Sequence, residues 1–477
     1  MTVIVCGDHL EPGAAERLGA IAVDGWCVRP EVPEGVTGVL GVAVCRGEYS
    51  LGLIQRALRR AGSDPLGVVL LEIGEEDRAD ESRLGARVVA ARARAAAFAG
   101  ASPAQIRMVV PEELSRRALL TLAVPAYRAG PAVDLAGCRA EAGCAACVRA
   151  CPYGAITWTG GAIDLDRVAC MSCGRCVTAC PVGAMVNPTC TPQQLHAEVA
   201  ALAAATGGRA RGAFVCSRRH PAEVPGGWFP LAVPCVGMLP PHWIVAPLLS
   251  GLAAVTVAPC SCGVEDDVAE RVAGVVEFAR AWVEASMLSG RIVAFDAATS
   301  DDLFGPTTAL NPFGPAGALN PFGALGAADV ARALGVPGPL GLPASPLGLV
   351  TLDQSTCTGC EMCAVSCPTG ALQVLRTGES VEIGFNAAMC TGCGTCLTRC
   401  PEVARGAITL GRRVDLDAIE SGTRVLVRHT VRSCSRCGRA IATDAVLRRI
   451  EEALGDDAVL GSIVDLCLEC RGARIAL

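Results

Sequence analysis

The residues best suited to chemistry in this chain are its cysteines, of which there are 28. Two runs have the form C-x2-C-x2-C-x3-C-P, the first from Cys357 to Pro368 and the second from Cys390 to Pro401. Three thiolates at this spacing can hold one face of an iron–sulfur cluster, while the fourth, before the proline, reaches across to a second cluster. Zinc knuckles or disulfides would use eight cysteines but explain neither the repeat nor both Cys-Pro steps.

These two runs resemble the paired half-modules of bacterial ferredoxins. The crossover of the fourth cysteine predicts two 4Fe-4S clusters in this region. The predicted ligand sets are Cys357, Cys360, Cys363 and Cys400 for one cluster, and Cys390, Cys393, Cys396 and Cys367 for the other.

A second cysteine-rich region upstream follows the same pattern with one departure. Its second half fits the run fully, but five residues rather than two separate Cys138 from Cys144. An insertion in a surface loop costs little closure entropy, so Cys138 is still expected to bind. The predicted ligand sets are Cys170, Cys173, Cys176 and Cys151 for one 4Fe-4S cluster, and Cys138, Cys144, Cys147 and Cys180 for the other.

The N-terminal part alternates apolar, β-branched runs with helical patterns, which predicts an α/β layer with a parallel sheet. Cys6 and Cys45 each end a predicted strand, and Cys27 lies in a loop. Because the carboxyl ends of parallel strands share one edge, the three thiols can meet there. Three buried free cysteines are the alternative.

The segment from Cys45 to Ile73 resembles the N-terminal domain of the flavin-binding chain of heterodisulfide reductase, a domain that carries an iron–sulfur cluster. That family ends its first strand with C-x-C, whereas this chain has Cys6-Gly7-Asp8. The resemblance implies a further cluster at Cys6, Cys27 and Cys45. Three alternatives follow for the missing cysteine: Asp8 supplies an oxygen ligand to a 4Fe-4S cluster, the cluster is 3Fe-4S, or the site is empty. No G-x-G-x-x-G follows a predicted strand, so we expect neither FAD nor NAD in this chain.

The middle of the chain again has cysteines where predicted strands end, namely Cys216, Cys235 and the pair Cys260 and Cys262. The pattern resembles the delta subunit of methyl-viologen-reducing hydrogenase, a flavodoxin-like domain. The resemblance implies a 2Fe-2S cluster on these four residues, and buried free cysteines are the alternative. Cys190 stands apart and is expected to be a plain buried residue.

Two C-x2-C pairs near the C-terminus predict a closed, structural zinc site of the zinc-ribbon kind. Its ligands would be Cys434, Cys437, Cys467 and Cys470, and a rubredoxin-type iron is the alternative. Upstream, the hexamer Ala-Leu-Asn-Pro-Phe-Gly occurs twice, at 309–314 and 318–323, in a linker rich in proline and glycine. Its apolar residues suggest that it lies in a groove of a partner chain.

The amino-acid composition bears on whether the chain binds nucleic acid, crosses a membrane or is exported. Nucleic-acid-binding surfaces are typically basic and carry aromatic side chains. A net charge of −6 and an aromatic content of 4% do not indicate such a surface. Residues 224–264 carry no Asp, Glu, Lys or Arg but are interrupted by prolines, so we predict strand, buried helix and buried strand rather than a membrane span. Reduced thiols, and a start without a signal-peptide pattern, lead us to expect the cytoplasm.

The expected fold class is multidomain, α/β and α+β. The expected regions are an open parallel-sheet domain at 1–125, a ferredoxin domain at 130–190, a flavodoxin-like domain at 191–300, a linker at 301–348, a second ferredoxin domain at 349–412 and a zinc ribbon at 413–477.

The resemblances together imply an electron-transfer subunit of a cytoplasmic oxidoreductase complex of the heterodisulfide reductase and hydrogenase group. Its partners would be a flavin- or metal-containing electron donor and a reductase chain, and it would turn over no substrate on its own. One alternative is a reductase with its own substrate site at the N-terminal cluster. Another is an assembly scaffold in which some clusters are vestigial.

Overall fold

The structure is a computed structural model of the chain. It describes residues 2–36, 39–45, 50–102, 105–109, 126–217, 224, 226–258, 260, 267–286, 293–294, 320–336, 338–377, 379–455 and 463–475. The chain divides into two compact units. The first comprises Met1–Cys138, Cys147–Thr157 and Asp164–Pro337, and the second comprises Arg139–Ala146, Trp158–Ile163 and Gly338–Leu477.

The first unit begins with a four-stranded parallel sheet, which confirms the predicted α/β layer. Its strands, in spatial order, are Ile21–Val23, Thr2–Cys6, Val39–Cys45 and Val69–Ile73. The sequence pattern did not predict the edge strand Ile21–Val23, which is three residues long. The helices of this part are Ala14–Arg17, Leu51–Arg60, Glu75–Ala79 and Glu81–Ala96. The sequence also predicts a helix that begins at Pro111-Glu112-Glu113, where proline suits the first turn, but this segment lies outside the described residues.

The middle of the chain forms a second four-stranded parallel sheet. Its strands, in spatial order, are Trp228–Val233, Arg211–Cys216, Ala254–Val257 and Val293–Ala294, and its helices are Pro192–Ala205, Pro241–Leu249 and Asp267–Glu284. Thr191 begins the first of these helices with a capping box to Gln194, followed by Pro192 at the first turn. In the described part of the chain, no helix is both long and apolar enough to span a bilayer.

Between the two sheets, the first ferredoxin region consists of short elements around its cysteine loops. These are the strands Ala132–Val133, Ile156–Thr159, Ala162–Leu165 and Met185–Val186, and the helices Ala146–Ala150 and Arg175–Ala179. Before this region, strand Ile106–Val109 pairs antiparallel with Ala126–Ala129 in a sheet of two strands.

The described part of the linker packs on the chain's own surface, where the sequence suggested the groove of a partner. Phe322, in the second copy of the hexamer, is 1% exposed and lies edge-on to Trp243, with 5.7 Å between ring centroids. The Trp243 indole N–H donates to the Phe322 carbonyl at 2.9 Å. The following helix, Gly326–Leu334, buries its apolar residues in the same unit. The first copy of the hexamer lies outside the described residues.

The second unit is built on antiparallel pairing. Strand Gly348–Leu352 pairs with Ile408–Arg412, and a separate sheet joins Leu372–Thr377, Ser380–Asn386, Thr423–Ser433 and Ala440–Thr443 in that order. The helices are Met362–Val365, Thr395–Arg399, Leu416–Glu420, Asp444–Leu454 and Leu468–Ile475. Because the sheet pairs Ser380–Asn386 with Thr423–Ser433, it runs across the predicted domain boundary at 412.

A buried ion pair joins the two parallel-sheet parts of the first unit. Arg94 on helix Glu81–Ala96 donates to Glu198 on helix Pro192–Ala205 at 2.6 Å, and to the Thr189 carbonyl at 2.9 Å. Cys190 is fully buried beside this pair, and burial raises the pKa of its thiol to about 11. Cys190 is therefore buried, as predicted, and its thiol also makes a side-chain hydrogen bond with Arg94.

The buried pair gives a stability prediction. Glu198→Gln leaves the Arg94 charge buried without a counter-charge, and should lower the free energy of unfolding by about 3 kcal/mol. Urea unfolding of the anaerobic protein, followed by circular dichroism, measures this.

The matched control is Glu81→Gln. Arg17 and Glu81 form an ion pair at 2.6 Å whose side chains are 52% and 43% exposed. Exposed pairs contribute about 0–1 kcal/mol, so this change should have little effect. Equal effects of the two substitutions would contradict the assignment of Arg94–Glu198 as a buried structural pair.

Candidate metal centres

Four cysteines from the two halves of the second ferredoxin region line one cavity. They are Cys357, Cys360, Cys363 and Cys400, the set that the crossover rule predicts for one cluster. The cavity is lined also by apolar side chains such as Leu352 and Ile383. Burial, followed by the neighbouring Cys357 and Cys360, raises the pKa of Cys363 to about 12. Four grouped thiols suit a metal cluster, whose charge offsets the cost of burying thiolates.

The second set in this region is grouped in the same way. The thiols of Cys390, Cys393 and Cys367 each act on the pKa of Cys396, which burial raises to about 12. The backbone N–H of Leu372 donates to the sulfur of Cys367 at 3.5 Å. Hydrogen bonds of this kind stabilise a thiolate that is bound to metal. The hydroxyl of Thr391, in the loop between two of these cysteines, is buried without a partner among the described residues, and a bound sulfide would accept from it.

In the first ferredoxin region, the fully matching half brings its predicted set together. Burial raises the pKa of Cys176, and the thiols of Cys173, Cys170, Cys147 and Cys151 act on it in the same direction. The remaining members of the other predicted set, Cys138, Cys144 and Cys180, are partly exposed loop residues. Their ligand role stays a prediction.

A three-cysteine site forms at the edge of the N-terminal sheet. The sulfurs of Cys6, Cys27 and Cys45 lie within 4.8 Å of one another, and all three residues are buried. The Cys45 N–H donates to the Cys27 sulfur at 3.0 Å. Trp26 is fully buried in the same cluster, and its indole N–H has no partner in the described part of the chain. The Cys45 N–H and the Trp26 indole N–H are both donors at this site, so they suit a bound group that accepts hydrogen bonds.

Asp8 lies beside this three-cysteine site. Its Oδ2 accepts from the Cys6 thiol at 3.5 Å, and its Oδ1 accepts from the Gly25 N–H at 2.8 Å. Asp8 is exposed while the three thiols are buried. The N-terminal site is therefore closed by sulfur on one side and bordered by a carboxylate on the other.

The middle domain also gathers sulfurs at its sheet edge. The sulfurs of Cys216, Cys235 and Cys260 lie within 4.8 Å of one another, each at or just after the end of a parallel strand. A hydrogen bond from Cys216 and burial raise the pKa of Cys235, whose sulfur accepts from the Gly237 N–H at 3.4 Å. Cys260 is disulfide-bonded, so metal binding there requires reduction. Cys262, the fourth predicted ligand, lies outside the described residues.

The middle-domain site and the first ferredoxin region meet directly in the first unit. The Thr178 hydroxyl donates to the Met238 carbonyl at 2.7 Å. A Cβ on Gly174 would lie 2.6 Å from the Met238 sulfur, so glycine suits this close approach. Gly174 follows Cys173, and Met238 closes the short turn after Cys235. The Cys173 thiol also acts on the pKa of Cys235. No sequence motif indicates this contact.

The C-terminal cysteines form a four-sulfur site. The sulfurs of Cys434, Cys437, Cys467 and Cys470 lie within 4.8 Å of one another. The N–H of Cys467 donates to the Cys434 sulfur at 3.3 Å, and this hydrogen bond lowers the pKa of Cys434 to about 6. A thiol that is already ionised at neutral pH is ready to bind a cation. Four thiolates with no open position suit a structural zinc ion.

The comparisons with known proteins agree with the two ferredoxin regions. The family described as the 4Fe-4S dicluster domain matches residues 138–184 and 356–404. A search of curated proteins found no match to the chain. The chain therefore carries two 4Fe-4S dicluster domains, and iron–sulfur electron transfer is the function that they support. The two matches span both halves of each predicted repeat.

If the C-terminal four-sulfur site binds zinc, substitution of one of its cysteines should remove zinc but not iron. Cys437→Ser should remove about one zinc per chain, because a four-thiolate site loses most of its affinity with one ligand. Iron content should not change. Elemental analysis of the anaerobically purified protein measures both metals, with Cys190→Ala as a control that should lose neither. Iron in place of zinc in the unaltered protein would favour the rubredoxin-type alternative.

Proposed function

We propose that this chain is the electron-transfer subunit of a multi-subunit oxidoreductase of the heterodisulfide reductase and hydrogenase type. It relays electrons between a flavin- or metal-containing partner and a reductase partner. A bound iron–sulfur cluster supplies one-electron oxidation and reduction at a potential set by its ligands and surroundings. The residues of this chain hold the clusters, bury them and fix their spacing. A cytoplasmic location remains our prediction, because cysteines stay reduced there.

The observation that carries this proposal is the contact between a ferredoxin cysteine loop and the middle-domain site. Thr178 and Gly174 pack on the turn that follows Cys235. An enzyme that turned over its own substrate would need a site open to that substrate. Here two cysteine sites instead face each other across packed protein, an arrangement that suits transfer of electrons.

We expect the middle-domain site to hold a 2Fe-2S cluster, with Cys216, Cys235, Cys260 and Cys262 as ligands. Cys235→Ser should remove about two iron atoms per chain and the corresponding paramagnetic resonance signal. The signals of the dicluster domains should remain, because their ligands are separate. Iron analysis and electron paramagnetic resonance of dithionite-reduced protein measure both. Unchanged iron and spectra would rule out a cluster there.

Isolation of the native complex tests whether this chain acts as a subunit that relays electrons. Anaerobic purification of the native assembly through a tag on this chain should recover at least one further chain that contains flavin or a catalytic metal. Electrons from a low-potential dye should then reach that partner, and Cys173→Ser should slow their arrival from the middle domain. A chain that purifies alone and reduces a substrate by itself would overturn the relay proposal.

The second candidate is a reductase whose own site is the N-terminal cluster. It is favoured by Asp8, an exposed carboxylate beside three buried thiols. Carboxylates are harder ligands than thiolates and leave iron more open to exchange or to substrate. In this case Asp8 completes a 4Fe-4S cluster, whereas a 3Fe-4S cluster needs no fourth residue.

Asp8→Cys distinguishes these arrangements. If Asp8 binds iron, thiolate in its place should keep the iron content and change the resonance spectrum of one cluster. Asp8→Ala should then release about one iron per chain and give a three-iron spectrum. Identical iron content and spectra in the natural protein and both variants would show that Asp8 is not a ligand.

A further inference from the structure

The two cluster loops of the second dicluster domain have the same sequence but different neighbours. Each reads Cys-Thr-Gly-Cys, and the glycines Gly359 and Gly392 have φ values of +67° and +62°. Both glycines therefore occupy equivalent positions in the internal repeat. The side chains that pack against these two glycines differ in charge.

An arginine packs against the loop of Cys390. A Cβ on Gly392 would lie 2.9 Å from Cζ and from Nη1 of Arg412. Arg412 ends the strand Ile408–Arg412, and its Nη1 donates to the carbonyl of the fully buried Ser345 at 3.1 Å. In the described part of the chain no carboxylate pairs with this guanidinium. Its charge also counteracts the rise in the pKa of Cys390, which burial brings to about 11.

A histidine takes the equivalent place against the loop of Cys357. A Cβ on Gly359 would lie 2.7 Å from Cδ2 of His429, and Thr443 packs beside it. His429 is 6% exposed, and burial lowers its pKa. The Thr443 hydroxyl donates to the Thr358 carbonyl at 2.5 Å. This loop is thus covered by neutral side chains.

The three atoms nearest to a Cβ on Gly359 belong to His429 and Thr443, so no cation takes the place that Arg412 has beside Gly392. Arg448, which is exposed, acts on His429 and lowers its pKa after the larger effect of burial. Glu361 and Glu402 line its cavity, and each is paired with an arginine. Asp353, just upstream, raises the pKa of Cys357 after the larger effect of burial. The Cys357 loop therefore packs against a neutral histidine, while the Cys390 loop packs against a fixed positive charge.

We propose that Arg412 makes the cluster site of Cys390 the more easily reduced of the two in this domain, so that an electron entering the domain rests there. Reduction adds one negative charge, which a nearby fixed cation stabilises and a neutral histidine does not. The step moves one electron from one site to the other; no bond forms or breaks and no proton is required. The external electron comes from a low-potential one-electron donor. The inference rests on the proposed electron-transfer function. It adds that, within this domain, electrons pass toward the cluster site of Cys390.

The test is a redox titration of the full-length, anaerobically purified protein, followed by electron paramagnetic resonance. Arg412→Gln should lower the ratio of reduced to oxidised cluster at the Cys390 site about three- to tenfold at a fixed solution potential. Tenfold corresponds to about 59 mV for one electron. Cys393→Ser, which alters the spectrum of the same site, assigns the shifted signal. Arg412→Lys keeps the charge and should restore most of the natural ratio.

Arg413→Gln is the matched control, because it removes the same charge one residue away. The Arg413 guanidinium lies near Gly411 rather than against a cysteine loop. If both substitutions shift the titration equally, or neither shifts it, Arg412 has no specific role. If the unaltered protein contains no iron, the electron-transfer function itself fails, and the two failures are therefore distinguishable.

A second measurement needs no variant and can still be made if Arg412→Gln loses its clusters. Arg412 is exposed, so salt should screen its charge. The Debye length falls from about 30 Å at 0.01 M to about 3 Å at 1 M salt. The separation between the two reduction steps of this domain should therefore shrink as salt is raised. A separation that does not change with salt would overturn the proposal.

Discussion

The structure depends on the burial of thiols in close groups. Burial raises the pKa of Cys363 and of Cys396 to about 12, so without metal these thiols keep their protons at neutral pH. The helices that carry them, Met362–Val365 and Thr395–Arg399, have four and five residues and are too short to be stable alone. Metal binding replaces the protons and joins the loops. Folding of the cysteine loops and loading of their clusters are therefore one coupled process.

Spacing along the chain predicted which cysteines meet wherever the geometry is local or repeated. The cavity shared by Cys357 and Cys400 follows from the crossover in the repeat. The site at Cys6, Cys27 and Cys45 follows from a rule of parallel sheets, that strand ends share an edge. These features require only short-range sequence or a topology that one pattern already implies.

The surroundings of the clusters could not be predicted in this way. Arg412 reaches the Cys390 loop because strand Ile408–Arg412 pairs with Gly348–Leu352, and His429 reaches the Cys357 loop from a strand far downstream in the chain. Neither residue carries a motif. The docking of Phe322 on Trp243 was missed for the same reason, since an apolar linker segment gives no indication of which surface covers it. Tertiary pairing decides such contacts, and no local pattern in a single sequence reveals them.

The C-terminal metal site acquires a physical role from this arrangement. Cys434 directly follows strand Thr423–Ser433, the strand that carries His429 over the Cys357 loop. A metal ion held by the four C-terminal cysteines would fix the end of that strand, and the Thr443 hydroxyl fixes the neighbouring strand to the loop backbone. Potentials of buried clusters respond to small changes in nearby dipoles and solvent access, so a rigid cover matters. We therefore expect the C-terminal cysteines to act by holding in position the strand that places His429, rather than Arg412, against one of the two identical loops.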